Sequence, residues 1–267
     1  MLVNFHCHST LSFDARSSMP DMARTAQAQG LRVLCITDHC DMLSADGVPE
    51  DVYSWAASEA AWAEAKKAAP ALDLRLGIEL GGALENPALA EEKLRHPHID
   101  FVLGSVHNRP AGPDYGYGVY TTAAQCREVL DGYLEQVLAL ARSPYYDVLG
   151  HLDYPVRYMR KAGVDISVDP AHPTVQAIFR AVIDSGRGIE CNTSGYRNGG
   201  CFTMPGRELL AAYRAAGGTI LTIGTDAHDT TQVDLGLRES YRMLRELGFT
   251  ELTIYRDRIP EQIKLEE

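Results

Sequence analysis

The chain has little of what marks a membrane, secreted or nucleic-acid-binding protein. Its 267 residues hold no uninterrupted apolar run long enough to span a bilayer, which argues against a transmembrane helix. No basic region or apolar signal core precedes His6, so no cleaved leader is expected and the cytoplasm is the expected compartment. The six cysteines, Cys7, Cys35, Cys40, Cys126, Cys191 and Cys201, form no Cys-x-x-Cys pair and no secreted disulfide spacing, which leaves free buried thiols as the expectation. Positive charge is scarce. Lys and Arg number 25 against 36 Asp and Glu, a net charge of −11, and this argues against a basic patch for nucleic acid or a membrane surface. With 45% hydrophobic and 23% charged residues, and no low-complexity stretch or long linker, residues 1–267 are expected to form one globular domain.

What the chain does have is a repeated way of ending its apolar runs. Leu2 to His8, Leu31 to His39, Leu74 to Glu79, Phe101 to His107, Val148 to His151 and Thr219 to His228 each close on His, Asp or Glu. One polar residue closing a strand is ordinary. Six with ligand chemistry point to one shared metal site. His6 and His8 stand two apart, so both project from one face of a strand and can share an ion; Asp226 and His228 repeat the spacing. An acidic chain acting on an anion needs local positive charge, and three divalent ions would add about six charges where the carboxylates converge.

Segments of helical periodicity follow the runs, at about Met19 to Gln29, Pro49 to Ala68, Ala88 to Leu94, Ala123 to Ala141, Pro173 to Ser185, Gly206 to Ala216 and Leu235 to Leu247. Gly30, Gly186, Gly217 and Gly248 sit where left-handed caps belong. Strands alternating with helices through short connections imply a parallel sheet. Ligands at every strand end favour a closed barrel of seven strands, with a possible short eighth at Glu251 to Tyr255, over an open sheet with a single switch point. Two longer excursions, Asn108 to Thr122 and Asn192 to Pro205, are the expected determinants of substrate choice. The stripe Tyr133, Val137, Leu140 and Ala141 reads as core packing. His96, His98 and His172 end no strand pattern and read as structural or solvated.

The motifs Phe5-His6-Cys7-His8-Ser9, Thr37-Asp38-His39, Gly77-Ile78-Glu79, Gly104-Ser105-Val106-His107, Gly150-His151-Leu152-Asp153 and Gly224-Thr225-Asp226-Ala227-His228 together resemble the polymerase and histidinol phosphatase (PHP) family. The resemblance runs over nearly the whole chain. Gly150 to Tyr154 and Glu190-Cys191-Asn192-Thr193-Ser194-Gly195-Tyr196-Arg197 are most similar to its histidinol-phosphate phosphatases. It implies a distorted TIM-like (β/α)7 barrel with two or three divalent metal ions at the C-terminal ends of the strands. By position, the first metal would fall to His6, His8, Glu79 and Asp226, with Glu79 bridging to a second held by His107 and His151. Asp14, His39 and His228 would hold the third. Imidazole with carboxylate suits zinc, manganese or iron alike. Asp38 and Asp153 are expected to orient the neighbouring histidines or to cap the helices that follow.

Clustered ions of this kind hydrolyse phosphate esters. The resemblance implies a phosphomonoesterase acting on L-histidinol phosphate by attack of a metal-bound hydroxide, without a phosphoenzyme, since no serine or cysteine has an evident nucleophile setting. Arg197 and Arg157 are the expected phosphate clamps, because a guanidinium fork matches paired phosphoryl oxygens; Arg160 lies close enough to be confused with Arg157. The aromatic loop Asn108 to Tyr120 suits an imidazole or a nucleobase. The alternatives are a phosphoesterase for nucleotides or short oligonucleotides, which would want an extended positive groove, and a noncatalytic metal-stabilised PHP module. The expected partner is a small phosphorylated substrate. Oligomeric state is open.

Overall fold

The computed structural model describes residues 1–265. Seven strands form a parallel sheet in chain order: β1 (Leu2–Asn4), β2 (Leu31–Asp41), β3 (Asp73–Gly81), β4 (Phe101–Ser105), β5 (Val148–Leu149), β6 (Gly188–Asn192) and β7 (Leu221–Gly224). Hydrogen bonds beyond the ends of β1 and β7 nearly close the ring. The Phe5 amide donates to the Ile223 carbonyl at 2.8 Å, and the Asp226 and His8 amides donate to the His6 and Ala227 carbonyls at the same distance.

Parallel neighbours need crossovers. These carry α1 (Met19–Ala28), α2 (Trp55–Ala68), α3 (Pro87–Leu94), α4 (Ala123–Ala141), α5 (Pro155–Lys161), α6 (Pro173–Asp184) and α7 (Arg207–Ala215), and α8 (Leu237–Glu246) follows β7. The result is a distorted (β/α)7 barrel. Strands β4 and β6 are buried along their whole length, as strands covered on both faces must be. The α4 stripe of Tyr133, Val137, Leu140 and Ala141 lies in the core. Ser18, Ser54 and Thr122 cap their helices by accepting from the amides of Asp21, Ala57 and Gln125, which satisfies donors the first turn leaves free.

Several elements depart from the sequence reading. The helix expected from Pro49 begins only at Trp55, because the preceding residues run back along the end of β2, where the Glu50 amide donates to the Met42 carbonyl at 3.1 Å. Helix α5 has only seven residues, too few for a period to show; Pro155 starts it. Five cysteines are buried and free as expected, but Cys201 is exposed.

The expected eighth strand does not join the barrel. Instead, β8 (Glu251–Arg256) pairs antiparallel with β9 (Ile259–Lys264), and this hairpin plugs the barrel's N-terminal end. Thr253 Oγ1 accepts from the amide of Leu221, the first residue of β7, at 3.2 Å, and the Arg75 guanidinium donates to the Tyr255 carbonyl at 2.8 Å. Rings pack inward from the plug, Tyr255 tilted against Phe101 at 5.1 Å and Phe101 edge-to-face on Phe5 at 5.4 Å.

Asp257 and Arg258 form the two-residue turn with φ of 51° and 62°, a hairpin geometry that favours glycine. Arg258 is held there by Asp147, its Nη2 at 2.8 Å and its Nε at 3.1 Å from the carboxylate. Arg258→Ala leaves that carboxylate buried without its charged partner and is expected to cost about 2 kcal/mol, discounted for the partial exposure of the arginine. Urea unfolding measures this. A change below about 0.5 kcal/mol, the range of ordinary surface substitutions, would show that the pair does not hold the plug.

Candidate metal centre

Each predicted ligand sits at or just beyond the C-terminal end of a strand. His6 and His8 follow β1, His39 and Glu79 lie near the ends of β2 and β3, His107 and His151 each stand two residues past β4 and β5, and Asp226 and His228 follow β7. Glu79 is the hub. Its Oε1 is 2.9 Å from His151 Nε2 and 3.1 Å from His107 Nε2, and it accepts from Ser105 Oγ at 2.7 Å. Its Oε2 is 3.2 Å from His39 Nδ1, 3.3 Å from His6 Nε2 and 3.4 Å from His8 Nε2.

Around this hub the remaining residues close in. Asp226 Oδ1 lies 3.6 Å from His8 Nε2 and 3.5 Å from His228 Nδ1. Asp14, from the loop after β1, is 3.0 Å from His228 Nε2 and 3.7 Å from His39 Nε2. All nine expected ligands therefore converge. Their donor atoms form three overlapping sets, His6–His8–Glu79, His39–Glu79–His107 and His8–His39–His228, and His8 belongs to two of them.

The buried imidazoles and carboxylates shift one another strongly. Burial alone would raise the Glu79 carboxyl, but the imidazoles, His6 and His107 foremost, hold it well below the usual range. Burial would lower His6; Glu190, Glu79 and Asp226 outweigh it and raise the imidazole to about 10. Burial, with His228 and His39 beside it, lowers His8 to about 3. The two imidazoles share one packed cluster, with His6 Nε2 and His8 Nε2 only 3.1 Å apart. Nitrogen and carboxylate donors at this density fit divalent zinc, manganese or iron.

Two residues that sequence reading gave no role complete the shell. Asp41, the last residue of β2, has Oδ1 3.1 Å from His107 Nδ1 and Oδ2 3.1 Å from His39 Nδ1. Gly81 makes room for it, since a Cβ there would stand 1.7 Å from Asp41 Oδ1. The signal was available: Asp41 follows His39 by the same two-residue step that links His6 to His8. Glu190, on β6, accepts from or shares a proton with His6 Nδ1 at 2.7 Å.

The expectation for Asp38 and Asp153 is corrected. Asp38 accepts from the Ser9 amide at 2.6 Å and from Ser12 Oγ at 2.7 Å, fixing the loop after β1, and Asp153 accepts from the Gly206 amide at 3.1 Å. Neither reaches a histidine: Asp38 and His39 are adjacent on β2 and face opposite sides, and Asp153, beyond the end of β5, turns to the start of α7 instead. His96 stacks on Trp55 at 4.1 Å, His98 meets Glu59 at 2.5 Å on the surface, and His172 caps α6; these are the structural or solvated roles expected.

The centre opens into a cavity of about 310 Å³. The Asn108–Thr122 excursion lines it through Asp114 and Tyr117, with Phe13, Tyr154, Tyr158 and Arg157 around the rest. The guanidinium of Arg157 lies over the rings of Tyr154 and Tyr158 at 4.7 and 4.8 Å and reaches Asp226 Oδ2 at 3.3 Å. Arg197 does not line this cavity. Its Nη2 donates to the backbone carbonyls of Asp226 and Thr225. Arg160 donates to the Ile166 carbonyl and packs over Phe202, which removes it from consideration.

Comparison with known proteins agrees with this geometry. The PHP domain model matches residues 4–194. The chain is 25% identical to a probable histidinol-phosphatase of Thermotoga maritima, covering 95% of each protein. It is also 25% identical to a histidinol-phosphatase of Lactococcus lactis subsp. lactis, covering 95% of this chain and 94% of that one. The crystal structure of histidinol phosphate phosphatase from Lactococcus lactis, complexed with zinc, L-histidinol and phosphate, superposes with a TM-score of 0.80 at 22% identity over 97% of this chain and 98% of that one. Matched over most of its length by one family model and folded as a (β/α)7 barrel, the chain belongs to the PHP domain family.

Proposed function

We propose that the chain is a metal-dependent phosphomonoesterase that hydrolyses L-histidinol phosphate to L-histidinol and phosphate. The observation that carries the reading is the convergence of imidazoles and carboxylates on Glu79 at the floor of a cavity with an arginine in its wall. End-to-end similarity to proteins named histidinol-phosphatase supports the same substrate.

His6, His8, Glu79 and Asp226 would hold one ion, His107 and His151 a second shared through Glu79, and Asp14, His39 and His228 a third. Zinc, manganese and iron all suit these donors. Such ions supply Lewis-acid charge for phosphoryl oxygens and lower the pKa of water. Arg157, already ordered by two tyrosine rings, orients the phosphate through its planar fork. Asp41 and Asp114 make the cavity wall acidic, which suits a leaving group that carries a cation and disfavours a polyanionic oligonucleotide. Among the described residues no helix is long and apolar enough to cross a membrane; cytoplasmic residence belongs to this same proposal.

A phosphate-release panel on metal-loaded protein tests the substrate. Histidinol phosphate is expected to exceed nucleotides and sugar phosphates in kcat/KM by about 100-fold or more, the discrimination a polar site achieves. Equal turnover of nucleotides would refute the assignment.

The third ion has its own test. Asp14→Ala removes the carboxylate between His39 and His228, and it is expected to lower bound metal by about one ion per chain, while His6, His8, Glu79 and Asp226 keep theirs. Elemental analysis after dialysis decides. Unchanged stoichiometry would place Asp14 outside the ligand set.

A further inference from the structure

Beyond the ligands themselves, the centre contains a carboxylate that touches two of the strands supplying them. Glu190, on β6, is 1% exposed. Its Oε1 lies 2.7 Å from His6 Nδ1, and its Oε2 accepts from the His151 amide at 2.9 Å and from Asn192 Nδ2 at 3.2 Å. The space it occupies depends on Gly224, where a Cβ would stand 2.4 Å from Glu190 Oε1 and 2.3 Å from His6 Cβ. His6 Nδ1 thus faces Glu190 at close range, with Asn192 Nδ2 farther off at 3.4 Å, while Nε2 faces Glu79, His8 and Asp226.

We propose that Glu190 is a positioning residue: it takes the Nδ1–H of His6, which leaves Nε2 to coordinate metal, and through the His151 amide it fixes the strand end that carries a second ligand. An imidazole used as a ligand commonly donates its other N–H to a carboxylate, which sets both tautomer and ring orientation. Here one side chain serves His6, expected at the first metal, and His151, expected at the second. It would therefore set the spacing between the two ion sites. The inference rests on the metal-centre reading above.

Glu190→Gln isolates the effect. Glutamine replaces two acceptor oxygens with one acceptor and one donor, whereas His6 Nδ1–H and the His151 amide both donate. Whichever way the amide turns, one contact becomes donor against donor.

The measurement is zinc affinity by competition with a chelator, paired with nitrogen-15 spectra of the histidine rings in the zinc-loaded protein. In the wild type, His6 is expected to show an exchange-protected Nδ1–H at low field with Nε2 metal-bound. Glu190→Gln should lose that signal and bind zinc about 10- to 100-fold more weakly, the range for loss of such an outer partner. If Glu190→Gln does not fold, the wild-type spectrum decides: a His6 bonded to metal through Nδ1 overturns the proposal. Full zinc affinity with an unchanged His6 signal in Glu190→Gln overturns it too, and leaves the metal centre standing. A wild-type protein that takes up no zinc, manganese or iron removes the metal reading and this inference together.

Discussion

Glu79→Gln is expected to lower kcat at saturating metal by about 10³-fold or more, equivalent to about 4 kcal/mol of barrier. The reason is position. One carboxylate lies within 3.4 Å of five histidines drawn from four strand ends, so its charge acts on members of all three sets of ligand atoms. The amide keeps the volume and the Ser105 contact while removing the charge. Circular dichroism should stay native, and elemental analysis should show fewer ions per chain. Asp226→Asn should act in the same direction. Wild-type turnover by either variant at full metal loading would refute the ligand assignment.

Arg157→Ala should lower kcat/KM by about 1.5 to 3 kcal/mol, or roughly 10- to 150-fold, the range for hydrogen bonds to a charged group. Inhibition by free phosphate should weaken in parallel and metal content should hold. Arg157→Lys should recover only part of the loss, since an ammonium cannot make two planar contacts. Arg197→Ala should behave differently. Its guanidinium holds the carbonyls of Thr225 and Asp226, so the expected loss is metal occupancy, with phosphate inhibition following only to the extent that metal is lost. Arg197→Ala with full metal and weakened phosphate inhibition, beside an Arg157→Ala that inhibits normally, would exchange the two roles.

The contrast between these arginines marks where sequence reading stops. Strand ends are legible because apolar runs have definite lengths and side chains alternate with a period of two; that is enough to place His6, His39, Glu79, His107, His151 and His228 at one mouth. The destination of an arginine is not legible, since its long side chain can turn into a cavity or away from it at little cost in sequence pattern. Outer partners fail for a related reason. Asp38 and Asp153 were paired with histidines beside them in sequence, whereas the carboxylate that meets His6 comes from β6, 184 residues away. Helix boundaries failed where local contacts preceded the helix, as at Trp55, and the last hairpin failed because a single strand pattern does not say which sheet it joins. Asp14 shows the opposite case: a loop residue with no periodic signal, placed by family resemblance and found between two imidazoles.

Asp226 has a backbone φ of 52°, a left-handed conformation that costs a residue with a β-carbon on the order of 1 kcal/mol, though aspartate tolerates it better than most. Glycine would adopt it freely. A stable fold alone would therefore be better served by glycine at this bend, the residue found at Gly236, where φ is 73°. The carboxylate at position 226 is thus kept against a standing conformational penalty, one that the folded chain bears in every state, loaded or not. This places the corner proposed for the first metal among the parts of the molecule where activity and stability pull in opposite directions.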